Sequence, residues 1–136
     1  MPRHQARILV VDDEPALLKL IEQYLVRSGR LVDACTSAAQ ALELYEADPA
    51  SYFLVVADLR MPGMSGEELL DRLMSLNPSI RIVVCSGYPF DYLQRSPKTG
   101  SRIRFVQKPF LPAMLDQAIR ELIGGTEDGP MRSAES

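Results

Sequence analysis

The sequence has little cysteine and histidine, and this scarcity argues against thiol catalysis. Its two cysteines, Cys35 and Cys85, fit small buried hydrophobic side chains in a protein from a reducing compartment. The single histidine, His4, lies on the N-terminal arm, ahead of the first apolar segment. A nucleophilic cysteine usually works with a nearby histidine, so we expect no catalytic thiol.

The sequence also lacks a long apolar run and an excess of basic residues. No apolar segment approaches the ~20 residues that a helix needs to cross a membrane, and no secretory signal is evident. The formal net charge of -3 and the isoelectric point near 5.2 argue against a nucleic-acid-binding domain, which usually has a basic face. We therefore expect a cytoplasmic domain that binds neither nucleic acid nor membrane directly.

Short apolar segments alternate with helical patterns along the 136 residues. The predicted strands are Arg7–Val11, Leu31–Cys35, Phe53–Ala57, Ile80–Cys85 and Arg104–Gln107. Strands that alternate with helices predict an α/β fold with a parallel sheet covered on both faces. The last predicted helix begins at Pro112 and ends at Gly124-Gly125. The length suits one domain, residues 1–125, and the polar residues 126–136 are typical of a flexible tail.

We expect the doubly wound, flavodoxin-like order 2-1-3-4-5 for this five-stranded sheet. The strands that hold Cys35 and Cys85 are then three spacings apart, about 14 Å. That distance exceeds the ~7 Å limit between the Cα atoms of a disulfide. Both thiols should therefore be free.

Proline and glycine interrupt the segment between the fourth and fifth strands. Pro89, Pro97 and Gly100 leave only Phe90 to Arg95 free to be helical, scarcely two turns. We predict a short or irregular fourth helix in this segment, followed by a mobile loop.

Polar side chains follow four of the predicted strands, at the point where each strand ends. They are Asp12, Asp13 and Glu14 after the first strand, Asp58 after the third, Ser86 after the fourth and Lys108 after the fifth. The carboxyl ends of parallel strands share one edge of the sheet, where open α/β sheets bind ligands. Clustered carboxylates repel one another unless a cation joins them, and oxygen ligands suit Mg²⁺.

Carboxylates, a hydroxyl and an ammonium around a hard cation predict a phosphoryl-transfer site. Asp58 stands alone on the central strand, so it is the candidate nucleophile that forms an aspartyl phosphate. Asp12 and Asp13 are better placed to share the metal. The alternative is that each of these residues only caps a turn or a helix, and four such strand ends weigh against it.

The sequence resembles the receiver domain of two-component response regulators from about Arg7 to Gly124. The motifs that carry the resemblance are Val10-Val11-Asp12-Asp13-Glu14-Pro15, Asp58-Leu59-Arg60-Met61-Pro62-Gly63-Met64-Ser65-Gly66, Ser86-Gly87 and Gln107-Lys108-Pro109-Phe110. Each motif alone is weak, but together and in this order they are highly specific.

The resemblance implies that Asp58 takes a phosphoryl group from a histidine kinase or a histidine phosphotransfer protein. It implies a Mg²⁺ ion held by Asp12, Asp13, Asp58 and the backbone carbonyl of Arg60. Ser86 would supply a hydroxyl to the phosphoryl group and Lys108 an ion pair, and the Lys108-Pro109 bond would be cis. If the fourth helix is short, the first helix near Leu17 to Leu25 is the expected docking surface for the phosphodonor. The resemblance assigns no oligomeric state.

The sequence departs from the family pattern at two site positions. Phe105 occupies the aromatic switch position, where tyrosine is common, so that side chain cannot form a hydroxyl hydrogen bond. Arg60 places a long cation beside the site. A rival interpretation is a Mg²⁺-dependent phosphohydrolase with Asp58 as nucleophile, but many such enzymes of the haloacid dehalogenase type have an aspartate where this chain has Arg60. A third interpretation, a degenerate receiver that only binds partners, conflicts with the intact acidic pair, Ser86 and Lys108.

Overall fold

A computed structural model describes residues 7–58, 66–86 and 102–127. The strands are β1 (Arg7–Val11), β2 (Leu31–Cys35), β3 (Tyr52–Asp58), β4 (Ile82–Ser86) and β5 (Ile103–Gln107). The helices in these ranges are α1 (Pro15–Arg27), α2 (Ala38–Ala47), α3 (Gly66–Leu76) and α4 (Pro112–Glu127), and a short 3₁₀ turn covers Pro49–Ser51. None of the helices in the described ranges is both long and apolar enough to span a membrane.

The strands form one parallel sheet in the order β2-β1-β3-β4-β5, which confirms the predicted topology. The register aligns their carboxyl ends, since Val11 lies beside both Cys35 and Ala57. Further along the sheet, Asp58 lies beside Cys85, and Ser86 beside Gln107. The residues that follow β1, β3, β4 and β5 are thereby brought to one edge.

Each face of the sheet has its own apolar core, because alternate residues of a strand point to opposite faces. Leu9, Val55 and Val84 pack with the apolar sides of α2 and α3. Ile8, Val10, Val56 and Val83 pack with those of α1 and α4 on the other face. This two-sided burial explains why the inner strands β1, β3 and β4 are almost continuous apolar runs.

Local signals fix where the first two helices begin and end. Pro15 occupies the first turn of α1, where its missing N–H costs no hydrogen bond. The Ser37 hydroxyl accepts a hydrogen bond of 3.1 Å from the Gln40 amide and caps α2. Gly29 ends α1 with a φ of 89°, and its amide donates to the carbonyl of Val26 at 2.9 Å.

The predicted strand ends mostly agree with the structure to within one residue, but two predicted boundaries were wrong by two residues or more. β4 begins at Ile82 rather than Ile80, because the Asn77 side chain holds a turn by accepting from the Ser79 amide at 3.0 Å. The last helix passes through Gly124-Gly125 and ends at Glu127, since glycine weakens a helix without forcing it to stop. Two residues assigned to the tail are therefore helical, and the boundary between domain and tail stays a prediction. The predicted irregular fourth helix, and residues 128–136, lie outside the described residues.

Both cysteines are buried and free, as predicted. Burial raises the pKa of the Cys35 thiol to about 11 and that of Cys85 to about 12. Both side chains are therefore protonated at neutral pH and act as small apolar residues.

Candidate functional site at the carboxyl edge of the sheet

Two aspartates are buried at the edge where the strands end. Asp58 is the last residue of β3, and Asp12 follows β1 directly. Their exposed fractions are 4% and 1%, and they are the only charged residues that are fully buried among those described. Charged groups are rarely placed in such positions unless they are paired or bind a cation.

Asp13 completes a compact acidic cluster with these two residues. One carboxylate oxygen from each of Asp12, Asp13 and Asp58 lies within 4.8 Å of the others. Three carboxylates at this separation repel one another, and they offer the hard oxygen ligands that Mg²⁺ prefers. The donor set therefore fits a divalent cation. Arg60, the fourth predicted ligand, lies outside the described residues.

The Asp12 side chain is held on both of its oxygens. Oδ1 accepts a hydrogen bond of 2.9 Å from the backbone amide of Glu14. Oδ2 accepts one of 3.2 Å from the Lys108 ammonium. The Asp12 amide in turn donates to the Cys35 carbonyl at 3.2 Å, which continues the pairing of β1 with β2 past the end of the strand. The carboxylate is thus fixed by the backbone on one side and by a cation on the other.

Lys108 enters the cluster from the end of β5 and meets three carboxylates. Its Nζ lies 3.2 Å from Asp12 Oδ2, 3.5 Å from Asp58 Oδ2 and 3.6 Å from Glu14 Oε1. Burial acts to lower the pKa of Lys108, but the charges of Asp12, Asp58 and Glu14 outweigh it, so the pKa lies above its usual value of 10.5. The lysine is therefore a fixed positive charge at neutral pH. The bond to Pro109 is cis, as the resemblance implies.

The structure thus brings together Asp12, Asp13, Asp58 and Lys108, four of the predicted site residues. The backbone of Ser86 lies at the same edge as the last residue of β4, while its side chain lies outside the described part of the molecule. Sequence reasoning grouped Glu14 with the other acids but gave it no role, and the structure pairs it with Lys108. Its position directly after Asp12 and Asp13, two of the predicted metal ligands, could have indicated a role at this site.

An apolar groove lies beside this site, between α1 and the start of α4. It has a volume of about 220 Å³, and its mostly apolar lining is formed by Leu17, Leu20, Ile21, Tyr24, Phe110, Pro112 and Leu115, together with Gln23 and Arg27. An adjoining cavity of about 450 Å³ shares Leu17 and Phe110 and reaches Glu14 and Lys108. Leu20 and Leu111 are more than 60% exposed. Apolar surface thus continues to the edge of the charged cluster.

Comparison with known proteins shows which family this sequence matches. The family model for the response regulator receiver domain matches residues 8–120. The sensor kinase CckA of Brucella abortus is 31% identical over 118 residues, which are 87% of this chain and 12% of CckA. Sporulation initiation phosphotransferase F of Bacillus subtilis is 30% identical over 105 residues, which are 76% of this chain and 82% of that protein.

Solved structures agree with the sequence comparison. Response regulator protein TrrA of Thermotoga maritima, crystallised in complex with Mg²⁺ and BeF, superposes with a TM-score of 0.74 at 27% identity. The match covers 87% of this chain and 99% of TrrA. Several curated relatives are much longer, and the chain spans only 12% to 27% of their length.

Proposed function

The chain belongs to the response regulator receiver domain family, and we propose that its Asp58 accepts a phosphoryl group from a phosphohistidine donor in a Mg²⁺-dependent reaction. Receiver domains are the phosphoacceptors of two-component signal transduction. The observation that carries the proposal is the buried Asp58 carboxylate, clustered with Asp12 and Asp13 and 3.5 Å from the Lys108 ammonium. An activated carboxylate beside a fixed cation suits attack on phosphorus.

The acidic cluster would hold the metal through Asp12, Asp13 and Asp58, with the Arg60 carbonyl as a further predicted ligand. When bound, Mg²⁺ neutralises negative charge on the transferring phosphoryl group. The related TrrA was crystallised in complex with Mg²⁺ and BeF, which supports Mg²⁺ as the cation.

Each protein group has a defined task in the transfer. An Asp58 oxygen forms the new bond to phosphorus, while the bond from phosphorus to the donor imidazole nitrogen breaks and its electron pair stays on that nitrogen. Lys108 stabilises charge on a phosphoryl oxygen, and the Ser86 hydroxyl donates a hydrogen bond to another. Because Lys108 also contacts Asp12, its movement toward the phosphoryl group would couple phosphorylation to the conformation of this edge.

We further propose that the donor, a histidine kinase or a histidine phosphotransfer protein, docks on α1 over the apolar groove. The groove adjoins the cavity that reaches Lys108, so a helix seated there would bring its phosphohistidine to the site. Exposed leucines such as Leu20 suit a helix-in-groove contact. We also propose that the domain works in the cytoplasm, where histidine kinases use ATP. We propose no direct contact with nucleic acid or membrane.

Acyl-phosphate labelling tests the proposed phosphoacceptor. Incubation with acetyl phosphate and Mg²⁺ should add one phosphoryl group per chain by intact mass, and hydroxylamine should remove it because a mixed anhydride is labile. Asp58→Asn should not be labelled, whereas Asp33→Asn, at an aspartate in the middle of β2, should be labelled normally. Labelling that persists in Asp58→Asn would refute the assignment of the nucleophile.

The same experiment separates the receiver from a phosphohydrolase. A receiver is modified stoichiometrically and catalyses no more than its own phosphorylation and dephosphorylation. Sustained turnover of a generic phosphomonoester, lost in Asp58→Asn, would instead favour the enzyme.

A further inference from the structure

The Glu14 side chain contacts Lys108 instead of capping the helix that it begins. Its backbone is fixed from both directions, since its amide donates to Asp12 Oδ1 and its carbonyl accepts from the Leu18 amide, both at 2.9 Å. Glu14 occupies the N-cap position of α1, yet its side chain makes no capping hydrogen bond. The carboxylate contacts Lys108 instead, at 3.6 Å.

The three carboxylates around Lys108 are not equivalent. Asp12 and Asp58 are almost completely buried and belong to the acidic cluster, whereas the Glu14 side chain is 66% exposed and lies outside that cluster. The Glu14 contact is also the longest of the three, and Asp12 makes the hydrogen bond. Glu14 is therefore the partner that Lys108 can give up at least cost.

A phosphoryl group on Asp58 would force such an exchange. An ammonium has three N–H donors, and a phosphoryl group adds oxygen acceptors with up to about two negative charges. Lys108 would then meet a more highly charged group in place of the Asp58 carboxylate, while Asp12 and Glu14 compete for its remaining N–H donors. The group that competes least well, by distance and by exposure to water, is the Glu14 carboxylate.

We infer that Glu14 is a positioning residue that holds Lys108 at the exposed rim of the site in the unphosphorylated protein and competes with the phosphoryl group for it. The inference rests on the proposed function of Asp58. An exposed ion pair of this kind changes an equilibrium constant by up to about five-fold. Glu14 thus sets how readily the acyl-phosphate state forms, although its carboxylate lies outside the acidic cluster.

Binding of beryllofluoride, an acyl-phosphate analogue, tests the inference at saturating Mg²⁺, so that differences in metal affinity do not enter. We expect Glu14→Gln to bind beryllofluoride about two- to five-fold more tightly than the wild type, with the ratio shrinking in high salt because the contact is exposed. Glu43→Gln, which removes an exposed glutamate on α2, is the matched control and should match the wild type.

Glu14→Asp separates the contact from the charge. It keeps the negative charge but withdraws it by one methylene group, so it should resemble Glu14→Gln if contact with Lys108 matters. Glu14→Asp that behaves as the wild type, or Glu14→Gln that binds no more tightly than Glu43→Gln, would overturn the positioning role. Failure of the wild type to bind the analogue at all would instead refute the proposed function, and with it the inference.

Discussion

Removal of the Lys108 charge should destabilise the fold, and Lys108→Met is the cleanest way to remove it. Methionine retains an unbranched chain of similar length, so packing changes little. The substitution leaves Asp12 and Asp58, which are 2% and 5% exposed at their side chains, without the ammonium that lies 3.2 and 3.5 Å from them. The cost is the free energy of keeping these carboxylates buried together without that cation.

The distances set the size of the effect. Two unit charges about 3.5 Å apart interact by roughly 5 kcal/mol at an effective dielectric constant near 20, and desolvation of the ammonium offsets part of this. Loss of one partner from a buried pair costs about 3–5 kcal/mol. Because Lys108 is 18% exposed, we expect the free energy of unfolding to fall by about 2–4 kcal/mol in Mg²⁺-free buffer at pH 7.

Urea denaturation measures this loss, and Lys19→Met is the control, since Lys19 is exposed on α1 and should change stability by less than about 0.5 kcal/mol. Saturating Mg²⁺ should recover much of the loss in Lys108→Met, because the metal takes over neutralisation of the carboxylates. The loss should also shrink in an Asp58→Asn background, as contacts within one cluster are not additive. A loss no larger than that of Lys19→Met, or one unchanged by Asp58→Asn, would refute the electrostatic account.

Three further predictions follow from the described residues. Asp13→Ala should abolish Mg²⁺ binding measured by calorimetry, because Asp12, Asp58 and the predicted Arg60 carbonyl would hold the ion poorly. Unchanged Mg²⁺ affinity in this variant would place the metal site elsewhere. The thiol of Cys85 has a pKa of about 12 in the folded protein against 9.0 in the unfolded chain. Its contribution to the free energy of unfolding is therefore complete below pH 9.0 and is lost as the pH rises toward 12. Cys85→Ala should flatten this decline in stability, measured by urea denaturation at alkaline pH, and an equal decline in both proteins would contradict the prediction. Leu20→Glu should slow phosphotransfer from a phosphohistidine protein at least several-fold and leave labelling by acetyl phosphate unchanged, whereas equal rates from both donors would move the docking surface away from the groove.

The sheet could be predicted from the sequence because its inner strands are buried on both faces. A continuous apolar run such as Phe53 to Ala57 fits few other places in a domain of this size. Element ends were harder, since they depend on single contacts. The start of β4 depends on a turn held by the Asn77 side chain, and the end of α4 depends on whether packing carries a helix through two glycines.

The predicted site residues came together for a topological reason. Parallel strands deliver their last residues to one edge, so the meeting of Asp12, Asp58 and Lys108 required no knowledge of side-chain conformation. The contact between Glu14 and Lys108 could not be predicted in this way, because it depends on side-chain conformation. An exposed glutamate has several accessible rotamers, and only the structure shows that its carboxylate turns toward Lys108 rather than toward the start of α1.

The clustered carboxylates lower the stability of the fold by repelling one another, although the proposed phosphoryl transfer depends on them. The backbone keeps the carboxylates close together, because β1 and β3 are paired up to Val11 and Ala57 and Asp12 is fixed by two further hydrogen bonds. Positive charge brought to them relieves their repulsion. Lys108 is such a charge, but it lies on a flexible stem at the end of a strand, and it can exchange partners when a phosphoryl group arrives. The paired strand ends therefore hold the carboxylates where a cation stabilises them, and the Lys108 side chain provides the positive charge. If Asp58 accepts a phosphoryl group as proposed, the balance between the two would change, which would give the edge of the sheet a physical reason to change conformation.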